Sequence, residues 1–221
     1  MLVEPRRLTV PPGQRLLLEE VSWDKFEAIL EDLGERRAAR IAYDRGLLEI
    51  MTPLPEHEFG KESISDFIKA ILEERDIEFL PLVSTTFKNK VMFKAIEPDN
   101  CFYIQNEAAV RGKNRLDLTI DPPPDLALEI DITSRTHSTI YEALGVRELW
   151  RFENGRLQIN LLQPNGKYAP VERSLIFPDL QLIENLPNFV QMSKEIGRKK
   201  TMKAFRQWVR NATSDRSQNS V

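Results

Sequence analysis

The 221-residue chain has few cysteines and histidines, the residues that form disulfide bonds and zinc sites in small proteins. It has one cysteine, Cys101, so an internal disulfide cannot form, which fits a reducing compartment. Together with only two histidines, this leaves too few ligands for a structural zinc site. There is no run of about 18 apolar residues that could span a membrane, and the first residues lack the apolar core of a signal peptide. We therefore expect a soluble, cytoplasmic protein without a membrane partner.

Glycine-rich phosphate loops are also missing. The sequence contains neither the GxxxxGK[ST] loop of nucleoside triphosphatases nor the GxGxxG turn of dinucleotide-binding domains. The net charge of −3 excludes a chain that binds nucleic acid through overall basicity, although it is compatible with a local basic surface. Any chemistry on phosphate must therefore use other groups.

Hydrophobic periodicity predicts a mixed α/β domain. Helices are expected over residues 22–33, 56–74 and 136–144, and a further helical stretch over 187–210. A hairpin is expected over 40–51, and strands over 77–87, 91–96, 100–104 and 125–132, followed by a meander of strands over 147–153, 156–163 and 167–171.

The expected strand over 125–132 carries the strongest functional signal. Strand side chains alternate, so its leucine and isoleucine side chains share one face, whereas Glu129 and Asp131 share the other. Two like charges side by side are costly when water is excluded, but a divalent cation requires such hard oxygen ligands. Asp99 opens the preceding expected strand and is a third candidate ligand. The alternative is a solvated edge for Glu129 and Asp131 and a Pro-Asp turn for Asp99 and Asp125.

Further polar residues flank this acidic strand. His57 and Glu58 begin the helix expected to pack on the sheet, and either could complete a metal site; a solvated helix start is the alternative. His137 and Tyr141 are one helical turn apart, so they share a helix face that could be directed at the carboxylates. His137 could donate to a phosphate or to an attacking water. A packed Tyr141 with an exposed His137 is the alternative.

Basic residues are concentrated near the end of the chain. Residues 194–210 contain seven lysines and arginines against Glu195 alone. Such clusters suit a phosphate backbone, although many charge runs are only a solvated face. The candidates for contact with DNA are Lys199, Lys200, Lys203 and Arg206.

Three motifs together resemble the Uma-type family of restriction-endonuclease-like proteins. They are Glu97-Pro98-Asp99, the run from Pro124 through Glu129 and Asp131 to Ser134, and the run from Tyr141 through Gly145 and Val146 to Trp150. His57 also matches the family pattern. This family, long catalogued as a domain of unknown function, is assigned to the PD-(D/E)xK nuclease superfamily. The resemblance implies a central mixed β-sheet flanked by helices, with a β-meander after the core.

The resemblance also implies a division of the chain. We expect an irregular N-terminal arm over residues 1–20 and a restriction-endonuclease-like domain over 21–190. A basic C-terminal helix over 191–210 and a disordered tail over 211–221 would follow.

The family pattern assigns roles to the acidic residues. Asp99 would be the motif aspartate and Glu129 the motif acid, and both would hold Mg²⁺ or Mn²⁺ with Asp131 as an additional ligand. Asp131 stands where the classical motif has a lysine. Many family members instead place a lysine four residues before the tyrosine, where this chain has His137. His137, positioned by Tyr141, would then replace the lysine.

The implied function is a metal-dependent DNA endonuclease that hydrolyses phosphodiester bonds, acting as a homodimer. Because the lysine is absent, the alternative is a catalytically impaired DNA- or protein-binding member of the same fold. A small-molecule phosphohydrolase would use the same carboxylates.

Overall fold

The computed structural model describes residues 9–34, 39–83, 85–130 and 138–218, with side chains as far as residue 212. Its helices are α1 (Trp23–Leu33), α2 (Pro55–Glu74), α3 (Glu107–Val110), α4 (Ser138–Leu144), α5 (Leu182–Ile196) and α6 (Arg198–Gln218). Its strands are β1 (Arg15–Leu18), β2 (Arg40–Asp44), β3 (Leu47–Met51), β4 (Leu80–Leu82), β5 (Phe87–Asn89), β6 (Lys94–Ile96), β7 (Asn100–Tyr103), β8 (Leu126–Ile130), β9 (Glu148–Glu153), β10 (Arg156–Leu162) and β11 (Tyr168–Val171). None of these helices combines the length and apolar character that crossing a membrane requires.

The strands form two sheets. One has the order β1-β3-β2-β6-β5, and the other has the order β11-β10-β9-β8-β7-β4. β8 pairs parallel with β9 and antiparallel with β7, so the second sheet is mixed. The chain passes from the first sheet to the second through Glu97-Pro98-Asp99, between β6 and β7. The expected mixed α/β fold is confirmed.

β8 is a central strand that is buried on both faces. Leu126, Leu128 and Ile130 belong to a core that also contains residues of α2, α5 and α6. Ala127, on the opposite face, packs with Tyr141 and its neighbours on α4. The predicted alternation is therefore confirmed over these residues, and burial on both faces rules out the alternative of a solvated edge for Glu129.

Local signals explain several element boundaries. Ser22 caps α1 by accepting a hydrogen bond from the backbone N–H of Lys25, and Gly34 follows the helix end. The β2–β3 hairpin turns at Arg45 and Gly46, both with positive φ, as a type I′ hairpin turn requires. α2 begins at Pro55, because the first turn of a helix does not need the missing N–H.

Other expectations were wrong. The arm expected to be irregular contains β1, which pairs with β3 and packs Leu16 and Leu18 against the α1 core. The strand expected over 77–87 is divided into β4 and β5, which belong to different sheets. The short helix α3 was not predicted.

The expected helix over 187–210 is also divided. Gly197 has a φ of 85° and separates α5 from α6. α6 continues to Gln218, into the expected disordered tail, because Phe205 and Val209 fix it to the main core.

Candidate active site

The register of β7 and β8 brings two acids together. Asn100 pairs with Leu128, and continuing this antiparallel register by one residue places Asp99 opposite Glu129. Opposite residues on antiparallel strands point to the same face as close neighbours. Asp99 is 2% exposed and Glu129 is 7% exposed. The structure therefore brings together the two acids that the sequence singled out.

Asp99 is held by neighbouring groups. Its Oδ2 accepts a hydrogen bond of 2.8 Å from the backbone N–H of Ile130. Nε2 of His57 lies 3.0 Å from the same oxygen, and Nε of Arg40 lies 3.8 Å from Oδ1. His57 is buried, so the solvated alternative is wrong for this residue. The start of α2 thus reaches Asp99, which is one of the two outcomes that the sequence left open.

Two cations near this centre were not singled out from the sequence. Lys61, 5% exposed, donates from Nζ to Oε2 of Glu58. Nη2 of Arg40 lies 4.0 Å from Oε1 of the same glutamate. Lys61 follows His57 by four residues and therefore shares its helix face, which was an available signal. Buried lysines are rare, and Lys61 is buried where it pairs with Glu58, close to His57 and Asp99.

Glu58 extends the cluster from Asp99 to Lys61. Its Oε1 lies 3.4 Å from Nδ1 of His57, and both atoms are buried without a hydrogen bond to a described residue. Buried polar atoms normally have partners. Nδ1 of His57 and Oε1 of Glu58 could therefore each form a further hydrogen bond close to Asp99.

Tyr141 orients Glu129. The tyrosine is 1% exposed, and its hydroxyl donates to Oε1 of the glutamate. Burial raises the pKa of Tyr141 well above its ordinary value, and the nearby charges of Glu129 and Asp99 raise it further. The hydroxyl is therefore a neutral donor and not a base. Tyr141 of α4 is thus packed and directed at Glu129.

Asp131 and His137 lie outside the described residues, so their roles stay predictions. Within the part of the chain that the structure describes, no group of three or more histidine, cysteine or acidic side chains is arranged to hold a metal ion. Asp99 and Glu129 nevertheless supply the hard oxygen donors that Mg²⁺ requires. Because Mg²⁺ usually takes one or two protein carboxylates and fills its other positions with water and phosphate, this donor set fits such an ion.

Two other candidate residues near the sheet, Asp125 and Cys101, have structural roles. Oδ2 of Asp125 accepts hydrogen bonds from the backbone N–H groups of Ile104, at 2.7 Å, and Asn106, at 3.1 Å, and so fixes the loop after β7. Cys101 is fully buried, and burial raises the pKa of its thiol well above the ordinary value. A thiolate nucleophile at this position is therefore excluded.

The basic helix is partly neutralised within the molecule. Nη1 of Arg206 bonds Glu74 at 2.9 Å, and Nη2 bonds Glu73 at 2.5 Å. Arg198 and Arg210 likewise pair with acids of α2. By contrast, Lys199, Lys200 and Lys203 are exposed, and none of them forms an ion pair with a described residue. Of the four predicted DNA contacts, Arg206 is thus already engaged.

Known proteins support the resemblance. The Uma2 family model, described as "Putative restriction endonuclease", matches residues 23–192. A protein from Anabaena variabilis ATCC 29413, whose crystal structure is described as that of "a putative nuclease belonging to DUF820", is 13% identical with a TM-score of 0.52. The match covers 76% of this chain and 97% of that protein, and it shows a shared fold. Comparison with curated proteins finds no match. Because the family model spans most of the chain and both opposed acids, the protein belongs to the Uma2 family and has a restriction-endonuclease-like fold.

Proposed function

We propose that this protein is a metal-dependent DNA endonuclease that hydrolyses phosphodiester bonds. The observation that carries the proposal is the opposed, buried pair Asp99 and Glu129 at the ends of adjacent strands. Two carboxylates held together away from water repel unless a proton or a cation offsets their charge. Membership of a family described as "Putative restriction endonuclease" favours the cation.

Asp99 and Glu129 would hold Mg²⁺ or Mn²⁺, with Asp131 as an additional ligand. When bound, the ion would lower the pKa of a coordinated water and neutralise charge on the scissile phosphate. His57 and the Ile130 amide fix Asp99, and Tyr141 fixes Glu129. His137 would orient the attacking water or donate a proton at the reacting phosphate. Lys61 adds positive charge near the centre, where the motif lysine is absent.

DNA would be held by cations on the surface. Lys199, Lys200 and Lys203 are available for phosphate contacts, and Arg206 would add to them while positioning α6 on α2. Cutting both strands of a duplex would favour a symmetric homodimer, by analogy with the fold. The reduced Cys101 is compatible with activity in the cytoplasm.

A plasmid-nicking assay with Mg²⁺ or Mn²⁺ tests this function. We expect the native protein to convert supercoiled DNA and Glu129→Gln to lose that activity, whereas Glu172→Gln, at an exposed acid far from the pair in sequence, retains it. Equal cleavage by Glu129→Gln and the native protein would refute the catalytic role. So would the absence of native cleavage on supercoiled, linear and single-stranded DNA with both metals.

The second candidate is a DNA- or protein-binding member of the fold without catalysis. The specific observation in its favour is Asp131 at the position of the motif lysine. It predicts that DNA is retarded in a gel in the presence of a chelator, that no product forms with metal, and that metal causes no shift in thermal unfolding.

A further inference from the structure

Arg40 lies where the first sheet meets the acidic centre. It is the first residue of β2, and the neighbouring strand β6 leads into Glu97-Pro98-Asp99. The backbone N–H of Glu97 donates to the carbonyl of Ile41 at 3.0 Å, so β2 stays beside the chain where the chain leaves the first sheet. Nε of Arg40 consequently lies 3.8 Å from Oδ1 of Asp99. The fold thus brings a guanidinium from a distant part of the sequence to the motif aspartate.

Arg40 is not the group that fixes Asp99. The Ile130 amide, at 2.8 Å, and Nε2 of His57, at 3.0 Å, both contact Oδ2, whereas Arg40 faces Oδ1. The 3.8 Å from Nε to Oδ1, and the 4.0 Å from Nη2 to Oε1 of Glu58, both exceed the length of a hydrogen bond. The guanidinium is therefore attracted to these two acids by charge. Because it is planar and carries several N–H donors, a guanidinium can contact a further anion at the same time.

Hydrolysis of a phosphodiester requires positive charge at the phosphate. Water forms a bond to phosphorus and loses a proton, while the bond from phosphorus to the leaving oxygen breaks and that oxygen gains a proton. Negative charge is spread over the non-bridging oxygens in the transition state, and cations directed at these oxygens lower the barrier. Asp99, Glu129 and the predicted ligand Asp131 would repel such a phosphate unless cations offset their charge.

The cationic candidates near the centre differ in what they can supply. His137 stands where many family members have a lysine, but an imidazole loses its charge near neutral pH. Lys61 donates from Nζ to Oε2 of Glu58, so that carboxylate offsets its charge. The guanidinium of Arg40 stays protonated at neutral pH, and it lies beside Asp99 itself. Arg40 therefore combines a permanent charge with direct proximity to the motif aspartate.

We propose that the guanidinium of Arg40 contacts a non-bridging oxygen of the scissile phosphate and stabilises the negative charge that develops there. This role rests on the proposed nuclease function and gives the first sheet a part in catalysis. The forked shape of a guanidinium matches two oxygens of a phosphate, which a lysine ammonium does not. Arg40 stays protonated throughout the reaction, so it acts by charge and not as a general acid.

Arg15 offers a matched control. Arg15 of β1 and Arg40 of β2 are both in register with Met51 of β3, so the two arginines point to the same face of the first sheet. Arg15 belongs to the outer strand, however, and its Nη1 lies 3.6 Å from Oε2 of Glu49. Arg15→Met and Arg40→Met therefore remove the same charge from the same sheet face. Arg40→Lys keeps the charge but loses the fork, and thermal unfolding shows whether each variant is folded.

The measurements separate chemistry from binding. Single-turnover cleavage of an oligonucleotide, whose cut site is first mapped with native protein, gives the rate of the chemical step. Anisotropy of the same DNA with a chelator gives its affinity, and electron paramagnetic resonance gives the affinity of the DNA-free protein for Mn²⁺. A methylphosphonate at the mapped site, tested as each stereoisomer, removes the charge from one non-bridging oxygen and so reports a contact at that oxygen.

We expect Arg40→Met to slow single-turnover cleavage about 100-fold, the scale of one lost donor to a transition-state oxyanion. Its affinities for DNA and Mn²⁺ should stay close to native, because the lost contact belongs to the transition state. Arg40→Lys should lose less, and Arg15→Met should cleave at the native rate. One methylphosphonate stereoisomer should slow native protein by a larger factor than it slows Arg40→Met, where the contact is already missing.

Several results would overturn the role of Arg40 while native cleavage upholds the nuclease proposal. If Arg40→Met binds Mn²⁺ more weakly and saturating Mn²⁺ restores its rate, Arg40 acts by holding the metal site and not by contacting the phosphate. Equal methylphosphonate effects in Arg40→Met and native protein, or a native rate in Arg40→Met, would also refute the contact. If Arg40→Met does not fold, Arg40→Lys is compared in the same way. Absence of native cleavage would refute the proposed function itself.

Discussion

At the scale of single residues, the two opposed acids have unequal surroundings. Asp99 is anchored by the Ile130 amide and by His57, whereas Glu129 receives a hydrogen bond from Tyr141. The sequence made Asp99 and Glu129 candidates for one site, because the alternation of the acidic strand and the expected strand that follows Asp99 are local signals. It did not predict Arg40 or Lys61, because their positions depend on how the first sheet and α2 pack beside β7.

Tyr141→Phe should lower the free energy of unfolding by about 1–3 kcal/mol, because a buried carboxylate then loses its donor. The raised pKa of Tyr141 means that the hydroxyl is protonated at neutral pH, so the donor is lost in full. Urea unfolding measures the effect. The matched experiment repeats the change in Glu129→Gln, where the loss should be smaller because the acceptor then carries no charge. Equal losses in both backgrounds would show that the hydrogen bond is not responsible.

At the scale of elements, α6 is fixed to α2 by charge as well as by apolar packing. Arg206 and Arg210 of α6 both bond Glu74 of α2. The sequence indicated a basic helix but not its acidic partner, because the two helices are far apart in the chain. It also did not indicate the division between α5 and α6, because the apolar spacing continues on both sides of Gly197.

The contact between Glu74 and the arginines predicts an acid-sensitive stability. Arg210, and then Arg206, lower the pKa of Glu74 from its ordinary 4.5 to about 2. A lowered folded pKa gives stabilisation that is complete above the ordinary value and is lost as the pH falls through about 2. The free energy of unfolding should therefore fall less steeply from pH 6 to pH 2 in Glu74→Gln than in the native protein. Glu31→Gln, an exposed change on α1, should keep the native slope; an unchanged slope in Glu74→Gln would contradict the assignment.

Gly197 should resist substitution. Its φ of 85° is unfavourable for residues with a Cβ, so Gly197→Ala should lower the free energy of unfolding by about 1–2 kcal/mol. Gly60→Ala is the matched control, because Gly60 is inside α2 and an added Cβ would meet Ile130 at an ordinary 3.4 Å. There alanine should be neutral or stabilising. Similar effects at both positions in urea unfolding would contradict the conformational explanation.

At the scale of the whole molecule, the fold class, the meander and the buried acidic strand followed from the sequence, because period-two alternation and Asn-Gly turns are local. The assignment of β4 and β5 to different sheets did not follow, because sheet partners are chosen by contacts between distant segments. The charge distribution also needed the structure. Three of the six cations of α6 over residues 198–210, namely Arg198, Arg206 and Arg210, are paired with acids of α2, which leaves Lys199, Lys200 and Lys203 exposed.

These three lysines predict the salt dependence of the proposed DNA binding. Each phosphate contact contributes about 0.9 to the slope of log affinity against log salt concentration. Replacing all three with alanine should therefore reduce the slope by up to about 3, as measured by anisotropy over a salt series. A double change of Lys88 and Lys90, which lie near Glu27 and Asp24, should have little effect. An equal or larger reduction in that double variant would place the DNA contact elsewhere.

The hydrogen bond between Asp99 and the Ile130 amide affects how nuclease activity can be inferred from the sequences of related proteins. Asp99 accepts a backbone hydrogen bond at the end of the paired strands β7 and β8. A relative that has lost catalysis would therefore still be stabilised by this aspartate. The presence of this aspartate in a descendant is therefore weak evidence of nuclease activity. Glu129 receives its hydrogen bond from the side chain of Tyr141, and its loss is the better sign that a lineage has abandoned the chemistry while preserving the fold.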